Sequence, residues 1–274
     1  MVSGISVNSL TQPKCFMGGE SEIYAELDRK WKATCRVLLG QEVGPLSDFE
    51  GYLSIGIERM ARAKSAISGK DVFAPTFNVP QCPRYISSDE IPEFEKKMSA
   101  MPLSINSIKD LDSLISAVSE RAHYCGNIQL GNSGGIMRSN RCTNVWYASD
   151  CADIYDSKYA AFCTDLRYVE SMFGCSTGSE SSFCIHALEI FRLQRCMETL
   201  RVYSSADCLY CASCEDCFDC MFCFCVKNRR NCIGNLELPK DKYATLKKKL
   251  VAEAAESMKA SKAAPSIIGI INGD

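Results

Sequence analysis

From residue 142 onward, cysteines stand at Cys142, Cys151, Cys163, Cys175, Cys184, Cys196, Cys208 and Cys217, with intervals of 9, 12, 12, 9, 12, 12 and 9. Few folds can use such a ladder. The same positions give steps of 21, from Cys142 to Cys163 to Cys184 and from Cys175 to Cys196 to Cys217, which is of the order expected for one rung of a repeat solenoid. Between the cysteines lie short runs rich in aromatic and β-branched residues, at 144–147, 167–173, 188–193 and 200–203, separated by Ser, Asp and Gly. They read as short strands with turns. If successive rungs stack in register, the thiols form columns inside the solenoid, where cysteine packs as a small hydrophobe.

The chemical state of these thiols follows from context. The chain carries 18 cysteines, and its opening residues 1–11 show neither the basic start nor the apolar run of a secretory signal. Reduced thiols or metal ligands are therefore expected rather than a disulfide framework. The apolar run 267–271 is far shorter than the roughly 20 residues needed to cross a bilayer, so no membrane span is expected. A cytoplasmic or other intracellular location, including incorporation into a particle, is the expectation. Hydrophobic residues make up 46% of the 274, enough for a core that does not depend on disulfides.

From Cys208 the period falls to three, through Cys211, Cys214, Cys217, Cys220 and Cys223, with Cys225 and Cys232 following. A Cys-x-x-Cys pair lets two thiolates reach one zinc ion or an iron–sulfur cluster. Here the pairs overlap without a break and leave no unique set of four ligands. Packed thiols with no cofactor are the first expectation; zinc or an iron–sulfur cluster held by Cys208, Cys211, Cys214, Cys217, Cys220 and Cys223 is the alternative. The nearby Asp207, Glu215, Asp216 and Asp219 would favour a cation and oppose nucleophilic reactivity.

The first 125 residues read as mainly helical. Ile23, Tyr24, Leu27, Trp31, Cys35 and Leu38 fall near helical spacing, with Ser21 as the N-cap and Gly40 as the stop. Ser47 and Glu50 suggest a capping box opening a second helix that runs to Gly69, weakened by Gly51 and Gly56. Prolines punctuate 70–104, around one short helix near 93–101. Ser107 then opens a helix whose apolar face is Ile108, Leu111, Leu114, Ile115 and Val118, with Asp110 in its capping box and an end near Arg121.

Only two histidines are present, His123 and His186. Neither sits in a catalytic motif, and His186 reads as a packed or solvent-facing repeat residue. The loop 131–135 could offer amides to a phosphate, but it lacks the Lys and Ser or Thr of a P-loop. A turn entering the solenoid is the simpler reading. Net charge is −2, so any affinity for polyanions must be local. Residues 227–249 hold eight Lys and Arg against Glu237 and Asp241, a local charge of +6. Lys227, Arg229, Arg230, Lys247, Lys248 and Lys249 could contact nucleic-acid phosphates. A solvated helix face is the plainer alternative. Pro239 suits the first turn of a terminal helix with the stripe Tyr243, Leu246, Leu250, Ala254 and Met258, which would cap the open rung. The apolar tail 267–271 is expected to dock as an extended strand on a neighbour.

The segment 214–250, CEDCFDCMFCFCVKNRRNCIGNLELPKDKYATLKKKL, resembles uncharacterised Cys-rich short-repeat proteins. Their last rungs end in a Cys-x-x-Cys run, followed by a basic turn, a Cys-Ile-x-Asn element and a Lys-rich terminal helix. The resemblance covers the C-terminal half only and departs from the pattern at Gly234 and Leu236. It implies a short-repeat solenoid and no activity. The resulting expectation is an α+β chain: a mainly helical domain at 1–125, a Cys-laddered β-solenoid-like domain at 126–236, and a capping helix with an apolar tail at 237–274. The expected role is a non-enzymatic structural or interaction protein, a scaffold with protein partners in a larger assembly such as a virus particle. The alternative is a zinc- or iron–sulfur-binding module that contacts nucleic acid through its basic C-terminal zone.

Overall fold

The backbone turns a corner at every third residue. In succession, Arg141, Asn144, Tyr147, Asp150, Asp153, Asp156, Tyr159, Phe162 and Asp165 hold φ between 48° and 63°. Every third residue from Asp207 to Asn231 does the same, with φ between 49° and 55°. Left-handed backbone costs a residue with a Cβ roughly 1–2 kcal/mol, and Asn and Asp tolerate it best, which explains their frequency at these positions. Hydrogen bonds to the preceding rung offset the strain. The corner amides of Asp156, Phe162 and Asp219 donate to the carbonyls of Thr143, Ser149 and Ala206 at 2.9, 3.0 and 3.2 Å.

Four such triplets close one rung, so the repeat is 12 residues. Cys142 lies beside Ile154, Ile154 beside Leu166, Cys163 beside Cys175, and Cys220 beside Cys232. The expected 21-residue rung is thereby corrected. Intervals of 9, 12 and 21 are all multiples of three, so each returns a cysteine to the interior, but only 12 returns it to the same column. The computed structural model describes residues 19–76, 84–167, 169–176, 181–191, 193–203 and 206–273. Among them, the rungs build a six-stranded and a seven-stranded parallel sheet, whose strands alternate along the chain from Gln129–Leu130 to Thr199–Tyr203. Single bridges then carry the 12-residue register from Ala206 to Lys227, and Arg230–Ile233 pairs with Phe218–Met221.

The residue after each corner points inward. Cys142, Val145, Ala148, Cys151, Ile154, Ser157, Ala160, Cys163 and Leu166 follow one another at this position, and all are buried. Small side chains are required because the lumen of a three-residue side is narrow. Cysteine adds a weak donor: the thiols of Cys142, Cys163, Cys211 and Cys223 each reach the carbonyl two residues earlier. Ser139 and Ser157 make the same bond with their hydroxyls.

A second apolar column faces outward. Met137, Ala161, Phe173, Ile185, Met197, Leu209 and Met221, spaced at 12 or 24, are all buried beneath helices. Helix α1 (Glu20–Leu39) lies on the early rungs through Ile23, Leu27, Trp31 and Cys35, with Trp31 edge-on to Phe173 at 5.3 Å. Gly19 is its N-cap and Ser21 lies inside the first turn, while Gly40 ends it with φ 74°, as expected. The terminal helix, Lys240–Ser261, contacts the last rung and α1, burying Tyr243, Ala255 and Met258. Leu246 remains exposed and Pro239 is the N-cap rather than a first-turn residue.

Between α1 and the solenoid the chain departs from the sequence expectation. The second helix is a 3-10 turn (Leu46–Phe49) running into the single turn α2 (Glu50–Leu53), because Gly51 lowers its propensity and Gly56 takes φ 71°. Residues 60–75 form instead an antiparallel hairpin of β1 (Met60–Lys64) and β2 (Asp71–Pro75). Strand β3 (Tyr85–Ser87) pairs in parallel with β4 (Tyr124–Gly126), and between them stand α3 (Ile91–Ser99) and α4 (Leu111–Ser119). Helix α4 opens at Asp110, which shares a capping box with Ser113, three residues later than expected, since Ile108 is extended. The loop 131–135 enters the six-stranded sheet through Gly134–Met137. Pro80 and Pro83 lie outside the described residues. The fold is α+β: an N-terminal helix, a Cys-laddered β-solenoid and a C-terminal helix.

Candidate functional site

The cysteine tract fills the last rungs. Cys208, Cys211, Cys214 and Cys217 occupy the four inward positions of one rung, and Cys220 and Cys223 stand one rung beyond Cys208 and Cys211. All six are fully buried and form one cluster with Cys232. The thiols of Cys208, Cys211, Cys214, Cys220 and Cys223 each donate to the backbone carbonyl two residues earlier, at 3.4 to 3.5 Å. Interaction with one another, then burial, holds Cys211 and Cys220 well above the ordinary thiol range, and the same interaction pulls Cys208 and Cys223 down. Among the described residues, no group of three or more His, Cys, Asp or Glu side chains is disposed to hold a metal ion. The tract thiols direct their S–H groups at backbone carbonyls. In the earlier rungs burial leads the upward shift of Cys142, Cys163, Cys175 and Cys196, so none is set up as a nucleophile.

The basic zone is divided by local pairing. Lys227 pairs with Glu215 on the neighbouring rung, Arg229 with Glu237 at 3.5 Å, Lys247 with Asp219 at 2.8 Å, and Lys249 with Glu253 at 3.8 Å. Arg230 lies over the Phe218 ring at 5.0 Å. Lys248 is exposed on the terminal helix. The cations are thus distributed over strand and helix, with acidic neighbours on the same surface.

Sequence reasoning missed a buried polar node. His186 is 1% exposed and Glu198, one rung on, is 0%. The Tyr52 hydroxyl donates to Glu198 Oε2 at 2.6 Å, His186 Nδ1 to the same oxygen at 2.7 Å, and the Ile267 amide to Oε1 at 2.9 Å. His186 Nε2 faces the Ile55 carbonyl at 2.9 Å. Both ring nitrogens meet acceptors, so the imidazole is held doubly protonated. Burial alone would lower its pKa; the Glu198 hydrogen bond and charge, with the Ile55 carbonyl, raise it overall. The node ties the α2 segment and the C-terminal tail to the solenoid. Ile267 opens a short helix, Ile267–Asn272, and is itself fully buried, so the tail packs on its own chain rather than as a strand on a neighbour. The 12-residue offset of His186 and Glu198 was the available signal, hidden while the rung was taken as 21.

Among the described residues, the lobe between β3 and β4 leaves large apolar side chains exposed. Neither α3 nor α4 has a buried residue. Leu111, Ile115 and Val118, one face of α4, are 69, 55 and 43% exposed, and Ile105 and Met101 nearby are 84 and 54% exposed. The described residues contain no helix long and apolar enough to cross a membrane. No protein-family model matches the chain, and no curated protein matches it.

Proposed function

We propose that this protein is a non-enzymatic scaffold that joins a partner protein to a rigid rod, as a component of a larger assembly. The observation that carries the reading is the apolar face of α4. A helix of nine residues is too short to persist in water on propensity alone, and three aliphatic side chains at i, i+4 and i+7 match the anchor spacing of a helix seated in a partner's groove. The 12-residue rungs, satisfied by their own ladder of hydrogen bonds, supply stiffness between this lobe and the terminal helix. The local pairing of Lys227, Arg229, Lys247 and Lys249 supports protein rather than nucleic acid as the partner.

A photo-crosslinking residue at position 115, introduced into the full chain in its native host, tests the proposal. A discrete protein adduct is expected from position 115 and not from exposed Lys248. Recovery of uncrosslinked chain alone from position 115, or equal adducts from both positions, overturns it.

A further inference from the structure

The cysteines of the lumen fall into columns that run along the rod. Cys184, Cys196, Cys208, Cys220 and Cys232 follow one another at intervals of 12, the length of one rung, so one column carries a thiol in each of five successive rungs. All five are buried, and none is in a disulfide. Cys220 and Cys232 are direct partners in the parallel pairing of Phe218–Met221 with Arg230–Ile233. In-register neighbours on parallel strands stand about 4.8 Å apart, inside the span of about 4.4–6.8 Å between the Cα atoms of disulfide-bonded cysteines. Their side chains enter the lumen in the same way: each thiol donates to the carbonyl two residues earlier, of Phe218 and Arg230, at 3.4 Å. The last rung also closes less tightly. At the position held by buried Ser157 and Cys217 in earlier rungs it has Arg229, whose side chain is 52% exposed.

We propose that Cys220 and Cys232 form an oxidative modification site, where hydrogen peroxide converts the two thiols into a disulfide that staples the last rung to the one before it. The Cys232 sulfur, nearer the open end, attacks one peroxide oxygen; the O–O bond breaks, water leaves, and a sulfenic acid remains. The Cys220 sulfur then displaces that hydroxyl. The S–S bond forms, the S–O bond breaks, and the Cys220 proton departs with the oxygen as a second water. Two thiols have lost two electrons, and one peroxide has become two waters. Interaction with Cys208 raises the Cys220 thiol and burial raises Cys232, so little thiolate is present and the site answers to sustained peroxide rather than to a brief pulse. The staple acts on the cap, because Arg230–Ile233 contacts the terminal helix and pairs with Leu236–Glu237. Closing a 12-residue loop also restricts the unfolded chain.

Prolonged incubation of the full chain with hydrogen peroxide, followed by quenching, alkylation under denaturing conditions and peptide mapping, tests the site. A Cys220–Cys232 disulfide is expected, and tryptic cuts at Lys227, Arg229 and Arg230 separate the two cysteines so that the linked peptides identify it. The unfolding temperature should rise by about 5 °C and return on treatment with dithiothreitol. Cys232→Ser should remove the rise, whereas Cys225→Ser, which takes away the exposed thiol outside the lumen, should keep it. If Cys232→Ser does not fold, the map of the natural chain decides alone. Both thiols recovered unoxidised after Cys225 has been oxidised, Cys220 bonded to Cys208 or Cys223 in place of Cys232, or a disulfide that lowers the unfolding temperature would overturn the proposal.

Discussion

The solenoid and the lobe at 88–123 use apolar residues in opposite ways. In the solenoid, the inward residues from Cys142 to Leu166 and from Cys208 to Cys223, and the outward stripe from Phe173 to Met221, are buried, and the backbone accepts a left-handed corner at each triplet to achieve it. In the lobe, two helices carry equally good apolar faces and bury no residue. Buried apolar surface is therefore concentrated in the rod and its two long helices, while the lobe leaves apolar side chains exposed among the described residues.

Substitutions in the two regions should separate them by size of effect. Leu166, fully buried in the lumen, should lose about 2–5 kcal/mol on replacement by Ala, whereas Leu111→Ala in the lobe should stay within about 0.5 kcal/mol. Denaturant unfolding measures both, and equal losses would dissolve the distinction. Gly174→Ala should cost about 1–3 kcal/mol by overpacking, because a Cβ there would stand 2.5 Å from the Leu53 carbonyl oxygen. A neutral result in the same assay would mean that the α2 segment does not press on the rung.

The His186 node gives the rod a pH dependence that the lobe should lack. With its folded pKa raised, His186 contributes stability fully below about pH 6.5, the unfolded value, and that contribution is lost as pH rises through the folded value. Thermal unfolding should thus occur at lower temperature at pH 9 than at pH 6, and His186→Gln should flatten the difference. Hydrogen exchange at residues 111–119 should be indifferent to the substitution. A mutant that retained the full slope would assign it elsewhere. The smallest effect concerns labelling: brief alkylation of the native chain should modify exposed Cys225 and leave the lumen thiols intact until unfolding. Mass spectrometry of fragments reads this, and rapid modification of Cys163 or Cys211 would contradict a packed lumen. Chelation should leave the unfolding temperature unchanged, since the tract thiols already donate to backbone carbonyls; a fall with release of stoichiometric zinc would revive the metal alternative.

Much of this fold was legible in the cysteines. Their spacing announced stacked rungs with inward thiols, and the terminal helix and α1 announced themselves through apolar periodicity and the stop at Gly40. The period was misread because 9, 12 and 21 share a divisor that the eye passes over, although Asp150, Asp153, Asp156, Asp207, Asp216 and Asp219, each just before an inward residue, repeat it directly. The second helix was misread because Met60–Lys64 shows no pattern that separates a hairpin from a weak helix; pairing with Asp71–Pro75 decides it.

Residue pattern is enough to require a short-rung solenoid, because a residue in three must be small enough for the lumen and its predecessor must tolerate a left-handed corner. Long-range packing settles where His186 meets Glu198, Tyr52 and the Ile267 amide, and which helix covers which rung. Those relations depend on the 12-residue stacking and on contacts between segments more than 60 residues apart, distances at which local pattern carries no information.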